Sequence, residues 1–155
     1  MNAKKIAILV TLGTCILGLS AFAGKKNTVE RSFKSVIHQT LVITLDKDGI
    51  PVSWVLSGIA LSSHFGLGEN SGQGTYDTSF NPVGTGVSTA ANGDQTFWKS
   101  LPGGGPSFIT GGTGRFAGAT GIIYAVSMEI VFRPDPPAGK LIADMVLHTE
   151  GTITY

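Results

Sequence analysis

The chain has 155 residues, with 11 Lys and Arg against 10 Asp and Glu, three His, one Cys and 22 Gly. A near-neutral balance without a basic run gives no footing for nucleic acid or anionic lipid. A single thiol excludes a disulfide framework and Cys-based zinc sites, and the length suffices for one core that buries about two thirds of the unfolded surface.

Residues Met1 to Ala23 read as an export signal. Lys4 and Lys5 form a basic start, Ile6 to Leu19 is an apolar run of 14 residues, and Ala21-Phe22-Ala23 ends it with small residues at the cleavage-determining positions. The run is shorter than the roughly 18 to 20 residues that cross a bilayer as a helix, so no stable membrane anchor is expected after cleavage. Cys15 follows Thr14 in mid-run, unlike a lipid-attachment cysteine, and leaves with the signal. Losing Lys4 and Lys5 leaves the mature chain with one more acid than base. The expected location is secreted or periplasmic, with a flexible mature start at 24–32 and one domain at 33–155.

After Ala23 the recurring pattern is alternation, with no helical period. Phe33, Ile37, Leu41, Ile43 and Leu45 share one face, with Ser35 and Gln39 as polar exceptions. Asp46-Lys47-Asp48-Gly49 predicts a hairpin, since Gly49 can take the positive φ of a tight turn. The calcium-loop reading of the same residues fails because the later oxygen ligands are missing. Val52 to Phe65 alternates with apolar residues on both faces, which predicts a strand covered on two sides. Gly66 to Gly86 holds six glycines and predicts a twisted, edge-like strand near Gln73 to Asp77 followed by a long loop.

Asn92-Gly93 predicts a second hairpin, with Asp94 to Lys99 alternating after it. Leu101 to Pro106 reads as a turn and Ser107 to Thr110 as a short strand. Ile122, Tyr124, Val126, Met128, Ile130 and Phe132 then predict one uninterrupted apolar face. Three prolines between Arg133 and Gly139 break the sheet. Leu141 to Tyr155 predicts the last strand, with Leu141, Ala143, Met145, Leu147, Ile153 and Tyr155 inside. Seven or eight short-spaced antiparallel strands without a helix require closure into a barrel or sandwich, which removes aggregation-prone edges.

The segment Thr110-Gly111-Gly112-Thr113-Gly114-Arg115-Phe116-Ala117-Gly118-Ala119-Thr120-Gly121 is the most unusual. A dinucleotide loop would follow the first strand of a βαβ unit and open a helix. Here the next segment alternates with period two, and Ala117 stands where the third glycine would be. No cofactor is therefore expected. As a turn, Gly111, Gly112 and Gly114 relieve strain, Phe116 plugs a barrel end, and Gly118 and Gly121 let the chain re-enter a crowded sheet.

This motif, from Thr110 to Gly121, resembles the turn that joins two strands in the allene oxide cyclase and dirigent barrels. Gly58-x-Ala60-x-Ser62, Ala91-Asn92-Gly93-Asp94 and the closing Gly151-Thr152-Ile153-Thr154-Tyr155 agree with it, and the combination is similar to uncharacterised exported bacterial proteins of that group. The resemblance spans about Ser53 to Tyr155. It implies an all-β fold, a single antiparallel eight-stranded β-barrel, often trimeric, whose interior can hold an apolar ligand. The acidic and polar groups that those families use inside the barrel have no clear counterpart here, so no catalytic residue is carried over.

His38, His64 and His148 have no metal-site spacing, and no metal is expected. His38 and His148 lie on the polar faces of their strands. His64 ends a strand where a side chain can line a barrel mouth, and with Asn92, Asp94 and Arg115 it makes the candidate ligand-binding rim, in which Asp94 orients the imidazole and Arg115 binds an anionic group. Trp54, Trp98, Phe116 and Tyr124 either line a cavity or fill the core. Three functions remain open: binding of a small apolar ligand or a structural role without chemistry, a cyclase or isomerase that confines a reactive intermediate, and an oligomeric surface component.

Overall fold

The computed structural model describes residues 28–155; the export signal expected at Met1 to Ala23, with Cys15, lies outside them. The alternating segments form eight strands: β1 (Glu30–Leu45), β2 (Pro51–Ser62), β3 (Gly66–Tyr76), β4 (Pro82–Ala90), β5 (Gln95–Ser100), β6 (Ser107–Gly112), β7 (Thr120–Phe132) and β8 (Lys140–Thr154). Each is antiparallel to the next, and β8 pairs with β1 to close an eight-stranded barrel.

Turn chemistry explains the order. Asp46 Oδ1 accepts from the amides of Asp48 and Ile50, both at 2.9 Å, while Gly49 takes a φ of 79°. Gly93 takes a φ of 87° between Ala90 and Asp94, whose backbones bond across the turn. Both predicted hairpins are present. Barrel entry comes earlier than apolar alternation marks, because Glu30 to Ser32 pair with Thr154 to Thr152 through backbone alone.

The strand expected near Gln73 to Asp77 is the end of a longer one, β3, and the long loop expected after it is instead β4, paired with β3 from Gly68↔Ala90 to Tyr76↔Pro82. Their inward positions are largely glycine, and the space is taken by indoles. A Cβ on Gly74 or Gly84 would stand 2.7 or 2.6 Å from the Trp54 ring, and one on Gly72 2.6 Å from Trp98. Glycine at every second position is thus a seat for aromatic side chains, so the segment carries no hydrophobic alternation of its own.

Two facial expectations also change. β2 buries only Trp54, Leu56, Ala60 and Ser62; Val55, Ile59 and Leu61 are exposed on the outer surface of this chain. In β7 the register with β8 shifts between Ala125 and Ser127. This bulge breaks the expected face: Ile122 and Tyr124 point outward with Thr152 and Glu150, whereas Met128, Ile130 and Phe132 share the inner side with Leu147, Met145 and Ala143.

The core is densest at the end of the barrel where β1 begins and β8 finishes. Phe33, Ile109, Phe116, Ala119 and Ile153 are buried there, with Phe65, Ile123 and Tyr155 packed against them. Phe116 is fully enclosed, its ring edge-on to Phe65 at 4.7 Å and to Tyr155 at 4.9 Å. The opposite end is less complete. β6 pairs with β7 only from Ser107↔Ile123 to Ile109↔Gly121, so β7 runs on to Phe132 with β8 on one side alone.

Candidate functional site

The Thr110 to Gly121 motif folds as a strand end, a single 3-10 turn at Gly114–Phe116, and the entry to β7. Gly114 takes a φ of 55°, and a Cβ on it would overlap the Asp94 carboxylate. Gly112 and Gly121 are needed for space, since a Cβ on either would overlap a carbonyl of the neighbouring strand, at Gln95 and Thr152. Gly118 takes a φ of 77° in open surroundings. Gly111 differs from expectation: it lies in extended β6, where a Cβ would make ordinary contact with Phe97 at 3.5 Å. Phe116 fills the barrel end.

Three of the four candidate rim residues come together. Asn92 Nδ2 donates to Asp94 Oδ2 at 2.9 Å, the Asp94 amide donates back to Asn92 Oδ1 at 3.2 Å, and Arg115 Nε stands 3.4 Å from Asp94 Oδ2. The Arg115 guanidinium also lies over the Phe116 ring, 4.7 Å from its centre. These contacts dock the 3-10 turn onto the β4–β5 hairpin, together with Thr113, whose amide donates to Gln95 O and whose hydroxyl accepts from the Gln95 amide.

His64 spends both ring nitrogens elsewhere. Nε2 lies 2.7 Å from Ser32 O and Nδ1 lies 3.2 Å from the Tyr155 hydroxyl. A carbonyl can only accept, so Nε2 donates to Ser32 O, and in the neutral ring Nδ1 accepts from the Tyr155 hydroxyl. The ring stacks on Phe33 and meets Tyr155 edge-on. His64 ties β1 and the chain's last residue to the β2–β3 turn.

The most connected buried polar group among the described residues was not singled out from the sequence. Asn70, on β3, is buried and sits at the centre of the barrel. Its Nδ2 donates to Gln39 Oε1 at 2.9 Å, and its Oδ1 accepts from Ser88 Oγ at 2.9 Å and Trp98 Nε1 at 3.2 Å. Gly58 makes this possible. It lies between Gln39 and Asn70 in register, and its missing side chain lets the two amides meet across β2. The available signal was Gln39, a polar residue on an otherwise apolar inner face.

Outside the barrel, two shallow grooves cross the sheet. One of about 430 Å³ runs over β2, β1, β8 and β7 past His38, Thr40, Ile59, Glu129 and Asp144. Beside it Arg133 pairs with Asp144 and donates to Thr40 Oγ1 at 3.2 Å. The guanidinium lowers the Asp144 carboxyl below its ordinary value, and Asp144 raises Arg133. The other, of about 560 Å³, lies over β2 to β6 between Val55, Gln73, Thr85, Val87 and Phe97. At the open end, Asp77 accepts from the amides of Ser79, Asn81 and Gly103 at 2.8, 2.9 and 2.6 Å. The bond from Gly103, then that from Asn81, holds its carboxyl down to about 2.

Among the described residues no three His, Cys, Asp or Glu side chains stand together as a metal site. No protein-family model matches the chain, and no curated protein matches it.

Proposed function

We propose that this protein is a non-catalytic, exported barrel of the allene oxide cyclase and dirigent type that serves as a rigid, self-associating structural component. The carrying observation is the distribution of side chains between its two surfaces. The interior holds Trp54 and Trp98 against glycine seats and a hydrogen-bonded Gln39–Asn70–Ser88 row. The outer surface displays Val55, Ile59, Leu61 and Leu67 on adjacent strands, with Leu61 and Leu67 opposite each other and 59% and 60% exposed. Contiguous exposed apolar side chains of this kind belong to association surfaces.

The buried polar side chains among the described residues are Ser35, Gln39, Ser62, Asn70, Thr96 and Thr149, all uncharged. A cyclase or isomerase that confines its intermediate would draw on an ionisable group aimed inward; this supports a structural reading over an enzymatic one. The rim at Asn92, Asp94 and Arg115 fits the same reading, as a clamp on the capped end. A second reading has one feature in its favour. The groove of about 560 Å³ past Val55, Val87 and Phe97 is of the size that holds a small apolar molecule, on the outer wall of the barrel.

Native mass spectrometry of residues 24–155, recovered from the exported fraction, separates the two. A defined multiple of the chain mass without added mass is the expected result. A monomer that retains a small molecule overturns the structural reading in favour of the binder.

A further inference from the structure

From the backbone of β7 we infer that Ser127 to Arg133 is an edge that pairs antiparallel with the same segment of a second copy, about a two-fold axis at Ile130. The inference rests on the self-association proposed above and names an edge, separate from the outer patch of β2 and β3, that takes part in it.

Among the described residues nothing pairs with this edge. β6 leaves β7 after Ser107↔Ile123. The loop that follows β5 turns to the other side of the mouth, where the Gly103 amide bonds Asp77 and Gly104 packs beside Asn81. Every residue from Tyr124 to Phe132 is exposed, on both faces of the strand, with Val126 at 60% and Val131 at 68%. A barrel exists to abolish edges of this kind. An apolar patch alone says little about its occupant, but a row of unpaired backbone donors and acceptors specifies another strand.

The register follows from hydrogen-bond alternation. The Arg133 amide donates to Ile142 O, so the backbone groups of Glu129, Val131 and Arg133 face β8. Those of Met128, Ile130 and Phe132 therefore face the bare side. A two-fold axis perpendicular to the sheet keeps inner faces together and pairs residues that sit symmetrically about its centre. Centred on Ile130, it sets Ile130 against its own copy and Met128 against Phe132, so that each of the three both donates and accepts.

The neighbouring residues select the same centre: an axis at Phe132 would set Ile130 against Pro134, which has no amide to donate, and one at Met128 would set it against Val126 in the bulge. Glu129 and Arg133 both lie on the outer side of β7, and Glu129 is the strand's only acid. With the axis at Ile130, Glu129 faces Val131 and lies diagonal both to the copy's Glu129 and to the copy's Arg133, whose guanidinium has donors beyond those used on Asp144 and Thr40 and offsets the two carboxylates. An axis at Glu129 would oppose two carboxylates, which is destabilising in a sheet. The apolar inner side chains Met128, Ile130 and Phe132 would merge across the axis into one covered surface.

The test uses residues 24–155 in solution. Amide hydrogen exchange of the wild type should show Met128, Ile130 and Phe132 protected in a concentration-dependent way. The variant Ile130→Pro removes a donor that faces outward and that the barrel itself does not use; it should be monomeric with unchanged far-ultraviolet circular dichroism and Trp emission. A wild type that stays monomeric overturns both this inference and the self-association it rests on. An oligomer in which these three amides exchange freely, or one that persists in Ile130→Pro, overturns the β7 edge and leaves association through another surface. If Ile130→Pro fails to fold, the wild-type exchange measurement decides alone.

Discussion

The indole of Trp98 occupies the space that a side chain on Gly72 would need, its Cη2 standing 2.6 Å from the position of a Cβ there. Trp98 comes from β5 and Gly72 from β3, so the contact reaches across β4 inside the barrel. Gly72→Ala should therefore destabilise by about 1–3 kcal/mol, the usual cost of overfilling a packed interior. Urea unfolding would show a lower midpoint with an unchanged slope. The two sites should couple: Gly72→Ala should cost less in a Trp98→Phe background than in the wild type.

Asn70 holds three partners at once, and they come from three other strands. Asn70→Ala leaves Gln39, Ser88 and the Trp98 ring nitrogen without their shared partner, and should cost about 2–4 kcal/mol because unpaired buried polar groups keep their full desolvation penalty. Ser88→Ala removes one donor while Asn70 Oδ1 still accepts from Trp98, so it should cost about 1 kcal/mol or less. Equal losses for the two variants would show that Asn70 is not the hub.

Asp77 organises the open end. Its folded-state carboxyl is lowered from 3.8 to about 2, so its contribution is fully present above about pH 4 and is lost as pH falls toward 2. The amide proton signals of Ser79, Asn81 and Gly103 should move together through that window. Asp77→Asn should shift them at neutral pH, with the Phe80 backbone, held at a φ of 61°, relaxing as the turn loosens. The site is exposed, so the overall unfolding midpoint should change little.

The hydroxyl of Thr149 is buried and has no hydrogen-bond partner among the described residues. Thr149→Val replaces it with a group of similar shape and should be neutral or stabilising by up to about 1–2 kcal/mol, since an unsatisfied buried group is a cost to the folded state. A loss of thermal stability in this variant would mean that the hydroxyl is bonded in solution.

Strand identity was legible wherever apolar residues alternate with polar ones, as in β1 and β8, and at turns such as Asp46 to Gly49 where side-chain oxygens replace backbone bonds. Only the end of β3 was legible, and β4 was not, because their inward side chains are supplied from elsewhere: the glycines of β4 read as loop until Trp54 and Trp98 are placed against them. The bulge near Val126 was hidden for a different reason. Alternation continues through it in the sequence, and only the partner strand reveals that two residues on β7 oppose one step on β8. Of the rim, Asn92 and Asp94 are joined as hairpin chemistry suggests, and the motif places Arg115 beside them. His64 is bonded instead to Ser32 and Tyr155, residues remote in sequence, whose positions depend on the closure of β8 on β1.

That closure has a topological consequence. β1 and β8 pair from Glu30↔Thr154 to Thr44↔Lys140, and the Val29 amide lies 3.4 Å from the Tyr155 carbonyl. Every strand is followed round the ring by its neighbour in sequence, so the order is cyclic and has no privileged first strand. A short linker from Tyr155 to Thr28 would let the chain be cut at the Asp46 to Gly49 hairpin and threaded as a circular permutant with the same eight pairings. Segments joined before Thr28 or after Tyr155 would emerge from the aromatic-capped side, and the opposite mouth with its bare strand would stay unobstructed.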